Sequence, residues 1–348
     1  DHPYSVARKF ATLDHLTDGR VGWNVVTSYS DSAAKNLGSG TQRSHDDRYG
    51  HAEEFVDVVL KLLEGSWEDD AAVVDREKGI YIDPSRVHEI HHEGEHFKVP
   101  GIFLCEPSKQ RTPVIFQAGG SSRGVALAAA TAEAVFTNAT SKAGLKKQVD
   151  NLRQQAAAAG RDPNHVVVVQ MMTVVTGRTD EEAQQRYEEY KKLVSYDGAM
   201  ARYSGWAGLD MSTFDPDVPL KHVKTNAGQT MVDLFSKMDP TKEWTPRDIA
   251  EYIGIGGTSP VIVGGPETVA KELQSWVDET GIDGFNLGNA IKFQDIKDFI
   301  DNVVPELQSR GLMRTGYDGS TLRENIFGQG NARLASDHPG AKYHKTSS

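Results

Sequence analysis

The run HVVVVQMMTVV, residues 165–175, constrains the fold more than any other feature of the chain. Its β-branched apolar residues show no polar alternation, so it reads as a strand covered on both faces, and such strands belong to parallel sheets flanked by helices. The flanking sequence supplies those helices. TPVIFQA (112–118) is a strand, SRGVALAAATA a helix, AVFTN (134–138) a strand, and SKAGLKKQVDNLRQQAAAAG a helix with Ser141 as cap and Gly160 as stop. Thr179 and Glu182 stand in capping-box spacing at the head of a charged helix running to Tyr203. This β-then-α rhythm predicts a parallel sheet with helices outside it.

Two further strands are expected at 21–26 and 284–288, making five with 112–118, 134–138 and 165–175. After the first comes a loop, then a helix capped by Ser44 and ended by Gly65, with Phe55, Val58, Val59, Leu62 and Leu63 at helical spacing. GIYIDPSRVHEIHHEGEHFKV alternates as a hairpin around Glu93 and Gly94. GGPETVAKELQSWVDETG is a helix with Pro266 in its first turn and Gly281 past its end. Residues 1–327 read as one domain with an insertion at 204–245, which is too long for an ordinary connection and is expected to cover a site. Residues 328–348 offer almost nothing to bury and are expected to be mobile.

Composition excludes several functions. The chain carries 38 basic and 49 acidic residues, a formal charge of −11, the wrong sign for neutralising nucleic-acid phosphates. A single cysteine, Cys105, permits neither an internal disulfide framework nor a cysteine-based zinc cluster, and suits a reducing, cytoplasmic setting. No apolar run approaches the ~20 residues that span a bilayer, so no membrane partner is expected.

Three clusters of residues carry candidate chemistry. In VGWNVVTS, alternation puts Asn24 and Ser28 on one side of a strand; in a parallel barrel the strand ends open onto the active site, although an isolated Asn satisfied by neighbouring backbone is the plain alternative. In QAGGSSRG, glycines between a strand end and a helix start let a phosphate sit against Ser121 and Ser122 on the helix dipole; a plain tight turn is the alternative. The motif is neither a Walker loop nor a good dinucleotide fingerprint. His45 and Tyr49, four apart at a helix start, share a face and could touch a planar ligand or its phosphate, or simply be solvated. The histidines His88, His91, His92 and His96 suggest zinc, but hairpin alternation splits them between two faces, so no metal site is expected. No Gly-x-Ser-x-Gly elbow supports acyl transfer.

TLDHLTDGRVGWNVVTS, HDDRYGHAEEF, PVIFQAGGSSRG, SPVIVGGPETVAKELQSW, GFNL and VPELQSRGLMRTGYDGSTLRE, in that order, resemble the nitrilotriacetate, EDTA and dibenzothiophene-sulfone monooxygenases of the bacterial-luciferase-like superfamily. The resemblance implies a TIM-type (β/α)8 barrel, reduced FMN held non-covalently, and electrons from a separate NAD(P)H:flavin reductase. It implies oxygenation of a small organic substrate by O2, often with cleavage of a C–N or C–S bond. Carried over by motif, Asn24 and Ser28 would lie beside the isoalloxazine, His45 and Tyr49 would meet the flavin and its phosphate arm, and Ser121 with Ser122 would bind the phosphate. No catalytic residue is assigned. Trp206, Phe214 and His222 in the insertion are plausible substrate lining, while Lys221 and Lys224 leave the substrate's polarity open. Such proteins are expected to be homo-oligomers. The family begins with about three βα units ahead of the DHP motif, so the chain is expected to lack them, in keeping with five strands against the eight of a closed barrel. A deazaflavin-dependent oxidoreductase and a truncated non-catalytic relative are the competing expectations.

Overall fold

The computed structural model describes residues 1–28, 30–38, 40–225, 229–238 and 242–345. Helix α1 (Pro3–Leu16) leads into β1 (Gly22–Val25), followed by α2 (Asp31–Asn36) and the long α3 (His45–Gly65). Two short antiparallel pairs come next, β2 (Ala72–Asp75) with β3 (Ile80–Ile82) and β4 (His92–Glu93) with β5 (Lys98–Val99). The βα series then runs β6 (Val114–Ala118), α4 (Ser122–Thr131), β7 (Ala134–Thr137), α5 (Lys142–Ala158), β8 (Val167–Thr176) and α6 (Asp180–Lys191). Helices α7 (Tyr196–Ala207), α8 (Gln229–Asp233) and α9 (Pro246–Gly256) precede β9 (Val261–Gly264), α10 (Pro266–Thr280) and β10 (Gly284–Gly288). Helices α11 (Gln294–Asp298), α12 (Val304–Ser309) and α13 (Leu322–Phe327) close the order.

Among the described residues the main sheet has six strands, all parallel, in the order β1-β6-β7-β8-β10, with β9 on the far half of β8. The expected five strands are therefore one short. The omitted strand, VIVG, is four residues between Pro260 and a Gly-Gly turn, too brief for periodicity to declare itself. It is held because β8 is ten residues long: Val169–Thr173 pairs with β10, and Thr173–Thr176 with β9.

The sheet's outer face, through Val135, Val168, Met172 and Val174, buries against α5 and α10 residues such as Leu145, Val149, Leu152, Val269 and Leu273. Each such side chain is worth roughly 1.5–3 kcal/mol on burial. A second core joins Trp23 and Val25 of β1 to α1 and α3, with Trp23 against the rings of Phe10 and Phe55 at 5.6 and 6.3 Å. The inner face carries Asn24, Phe116, Phe136 and Met171. Phe116 and Phe136 stack at 5.4 Å, and Phe116 lies over Gly22 so closely that a Cβ there would meet its ring at 2.6 Å. That close approach is why the strand opens on glycine.

Other expectations are corrected. The opening segment, for which no element was expected, is helical, with Pro3 in its first turn and His2 Nδ1 accepting from the Tyr4 amide at 3.2 Å in place of the usual Ser or Asp cap. Part of the loop after β1 forms α2. The single hairpin is two: Gly94 does turn β4 into β5, but Ile80–Ile82 pairs back with Ala72–Asp75. The charged helix from Thr179 breaks, and Ser195 caps α7 by accepting from the Gly198 amide.

In the segment expected to be mobile, the described residues dock on the rest of the fold. Leu334 and His338 are buried, Tyr343 hydrogen-bonds Asp57 on α3, and the Ala332 carbonyl accepts from Arg323 at 2.9 Å. Its few apolar residues are spread among polar ones, so the burial comes from docking and leaves no periodic trace in the sequence. Arg323, 1% exposed, grips Glu133 at 2.7 and 2.9 Å and also donates to the Thr112 and Gln110 carbonyls. Burial alone would raise the Glu133 carboxyl, and the guanidinium beside it reverses this, holding it below the ordinary range. Arg323→Met leaves that carboxylate buried and unpaired, so urea unfolding should show a loss of about 3–5 kcal/mol, while Glu133→Gln/Arg323→Met together lose less than the sum of the singles.

His338 donates from Nε2 to the Thr131 carbonyl (2.8 Å) and accepts at Nδ1 from the Gly340 amide (3.0 Å), a geometry that fits only the neutral ring. Burial accordingly pushes it from its ordinary 6.5 down to about 4. Because the folded value is the lower one, its stabilisation is complete above pH ~6.5 and is lost as the pH falls toward ~4. Denaturant midpoints should drop by the equivalent of roughly 2 kcal/mol between pH 7.5 and 5, and His338→Gln should flatten that part of the profile.

Candidate functional site

The strand ends on the side of Ala118 gather the candidate residues. After β6, Gly119 and Gly120 turn the chain into Ser121, whose Oγ caps α4 by accepting from the Gly124 amide at 3.1 Å. Of the amides a helix start leaves without intrahelical partners, those of Ser122 and Arg123 are the ones an anion would meet, and the first turn of α4 carries no acidic residue. The Tyr49 phenol, on α3, reaches this turn. Ser121 Oγ donates to Tyr49 Oη at 3.4 Å, and a Cβ on Gly124 would stand 2.8 Å from that oxygen. The glycines thus open a seat for a hydroxyl. His45 lies with its ring 5.0 Å from that of Tyr49 and its Nδ1 3.0 Å from Asp46, whose carboxyl it holds below the ordinary range.

Asn24 and Ser28 sit elsewhere on the same rim. They line a hollow of about 390 Å³ with Arg43, Arg48 and His51. Asn24 is exposed, pointing to the inner face opposite buried Trp23 and Val25, as the strand alternation requires. Ser28 takes φ 61°, a left-handed conformation that a serine adopts only when its surroundings hold it there. The six candidates therefore form two groups rather than one ring: His45, Tyr49, Ser121 and Ser122 at the start of α4, and Asn24 with Ser28 across α3.

The sequence reading missed Arg43 and Arg48, which give this hollow its positive charge, and His51 beside them. Arg48 is 6% exposed, and its Nη1 donates to the Arg43 carbonyl at 3.2 Å. Burial, then Arg43 and His96, push His51 below its ordinary value, favouring the neutral ring. The available signal was helical spacing: Arg48, His51 and Phe55 stand at i, i+3 and i+7 on α3.

The four histidines first weighed as metal ligands part company. His88 meets Glu68 at 2.8 Å, His92 lies between Lys61 and Glu54 at 3.0 Å each, His96 stands 5.1 Å from the His51 ring, and His91 lies 3.5 Å from Glu89. Glu54 is a structural anchor. Burial raises its carboxyl, but His92 and the amides of His96 and Phe97 more than offset this, bringing it down to about 2.

Phe235 and Trp244 of the insertion share a core with Tyr203 of α7 and Ile249 of α9. Phe214 packs on that core, and His222 is held by Asp233 and Gln229 at 3.1 and 3.3 Å. Of the three lining candidates, Trp206 borders a hollow on the rim. Met231 of α8 reaches another, about 410 Å³, lined by Gly119, Gly120, Phe136 and Lys147.

A parallel sheet with helices outside it, and polar groups collected where the strands end, places the chain among α/β proteins that bind small ligands at the carboxyl ends of their strands. More specifically, it belongs to the luciferase-like monooxygenase family, whose sequence model matches residues 1–284. The dimethyl-sulfide monooxygenase of Hyphomicrobium sulfonivorans is 46% identical over 343 residues, 99% of this chain and 72% of that protein. The long-chain alkane monooxygenase of Geobacillus thermodenitrificans is 44% identical over 348 residues, 100% of this chain and 75% of that one. The crystal structure of riboflavin lyase RcaE with modified FMN and riboflavin superposes with a TM-score of 0.92 at 38% identity, covering 99% of this chain and 76% of the other.

The seat for the Tyr49 hydroxyl is testable without a ligand. Gly124→Ala forces a methyl against that oxygen and should cost about 1–3 kcal/mol in denaturant unfolding, whereas in a Tyr49→Phe background the same change should cost less than half as much.

Proposed function

We propose that the chain is the oxygenase component of a two-component monooxygenase that takes reduced FMN from a separate NAD(P)H:flavin reductase and oxygenates a small organic substrate with O2. The observation that carries this is the start of α4, where a serine cap, two glycines and the Tyr49 hydroxyl leave room and amides for a phosphate. Family membership and the FMN named with a structural neighbour support the same cofactor.

The residues present suit that group. Ser121, Ser122 and Tyr49 would hold its phosphate, and His45 would flank the arm. The isoalloxazine would lie along the inner face toward Asn24 and Ser28, so that one ligand spans the two groups of candidates. Bound reduced FMN would supply oxygen activation. The protein's part is to fix the ring, exclude water and aim the substrate. Cleavage of a C–N or C–S bond is the outcome we propose. These relatives are named for a sulfide and an alkane, so the family alone does not choose the substrate. We further propose that strands pairing along β1 and β10, each of which has one sheet neighbour among the described residues, complete a closed barrel around the flavin.

Fluorescence titration with FMN and with riboflavin tests this. FMN should bind at least ~10-fold tighter, the phosphate being worth ~1.4 kcal/mol or more, and Ser121→Ala/Ser122→Ala should erase the difference. With reductase, NADH and air, the oxygenated product should form. Equal affinity for the two flavins, or turnover only with a deazaflavin, refutes the proposal.

A further inference from the structure

A third hollow opens on the rim, about 460 Å³, between the end of β10, α7 and the α9–β9 connection. Met171 borders both it and the hollow beside Gly119 and Gly120, so the two adjoin. Its walls mix apolar side chains, Val194, Ile253 and Met171 among them, with polar ones such as Thr173, Thr258 and Asn289. Three of the hydroxyls on its wall are engaged. Thr173 and Ser259 bond each other at 2.8 Å, Ser259 donates to the Gly256 carbonyl at 2.7 Å, and Tyr190 donates to Asp295 at 2.8 Å.

Arg202 is different. It stands four residues before Trp206 on α7, with its guanidinium 4.6 Å from the indole centroid, and both line the hollow. Among the described residues it pairs with no carboxylate, whereas Arg186 and Arg247 nearby hold Asp298 and Asp217. Stacking on an indole fixes the plane of a guanidinium while leaving its N–H edge available, and that edge matches the two oxygens of a carboxylate. No acidic side chain lines the hollow to compete for it.

We infer that this hollow admits the substrate and that Arg202 selects for a molecule that carries a carboxylate. The inference rests on the reading of the rim as the reaction site and narrows its substrate class. The apolar part of the wall, Val194 and Ile253 included, takes the chain of the molecule, and the stacked guanidinium takes its charged end. The site's volume suits a small molecule. A neutral isostere keeps the apolar contact and loses the paired hydrogen bonds.

The test is equilibrium binding without flavin or oxygen. Hexanoate and hexanamide are titrated calorimetrically into the wild-type protein, Arg202→Met and Arg202→Lys, with circular dichroism and unfolding midpoints as the check on folding. Hexanoate should bind wild type at least tenfold more tightly than hexanamide. The preference should fall to within twofold in Arg202→Met and return in part in Arg202→Lys, which keeps the charge but not the fork. Absence of hexanoate binding, equal binding of the two probes, or a preference that survives Arg202→Met overturns the inference. Neither probe needs flavin, so this result and the comparison of FMN with riboflavin succeed or fail separately.

Discussion

Strand β8 is the element through which the sheet holds together. Each backbone N–H and C=O of a strand covered on both faces must find a partner in the sheet. β8 meets that demand with β7 over Val167–Gln170, β10 over Val169–Thr173 and β9 over Thr173–Thr176. Its residues also alternate between two jobs: Val168, Met172 and Val174 enter the helix-packed core, while Met171 faces the inner side and borders two hollows. Fixing the strand's register fixes both. A slip of one residue would bury Met171 and turn Met172 inward, so the rim is specified by the core.

Helix α3 does for the other end of the sheet what β8 does for the middle. Its buried face, with Val56, Val59, Leu60 and Leu63, packs in the same core as Trp23 of β1. Its first turns then have no freedom left: Tyr49 must point at the α4 start, and Arg48 and His51 toward the hollow below Asn24. Glu54, further along, pins the β4–β5 turn through the His96 and Phe97 amides at 2.9 and 2.8 Å. A ligand spanning Asn24 and Ser121 would lie across the helix that positions both groups.

The parts of this arrangement legible in the sequence were those written in runs. The Val-rich β8, the glycine-serine turn before α4 and the capped helices α3, α5 and α6 declare themselves through periodicity and caps. What was hidden depends on partners far along the chain. The bond between Ser121 and Tyr49 joins residues 72 apart, and the Arg323–Glu133 pair joins residues 190 apart. β9 is too short to signal itself, α1 is capped by a histidine, and α6 and α7 look continuous until Ser195 is seen accepting from the Gly198 amide. Single residues such as Asn24 and Ser28 were found because strand alternation gives direction. Their grouping was not, because alternation says nothing of distance between elements.

Charge ties the rim together. The chain carries a formal −11, which at long range disfavours any anion. That field is screened beyond roughly 8 Å at physiological ionic strength, so what a ligand meets in contact is the local lining. Each of the three rim hollows has a cation on its wall: Arg43 and Arg48 in one, Lys147 in the next, Arg202 in the third. Only the first includes an acidic residue, Asp1. The local lining thus favours anionic ligands at the strand ends, and a flavin phosphate with a carboxylate substrate would answer that distribution. A neutral substrate would leave the stacked arginine without a partner in the third hollow.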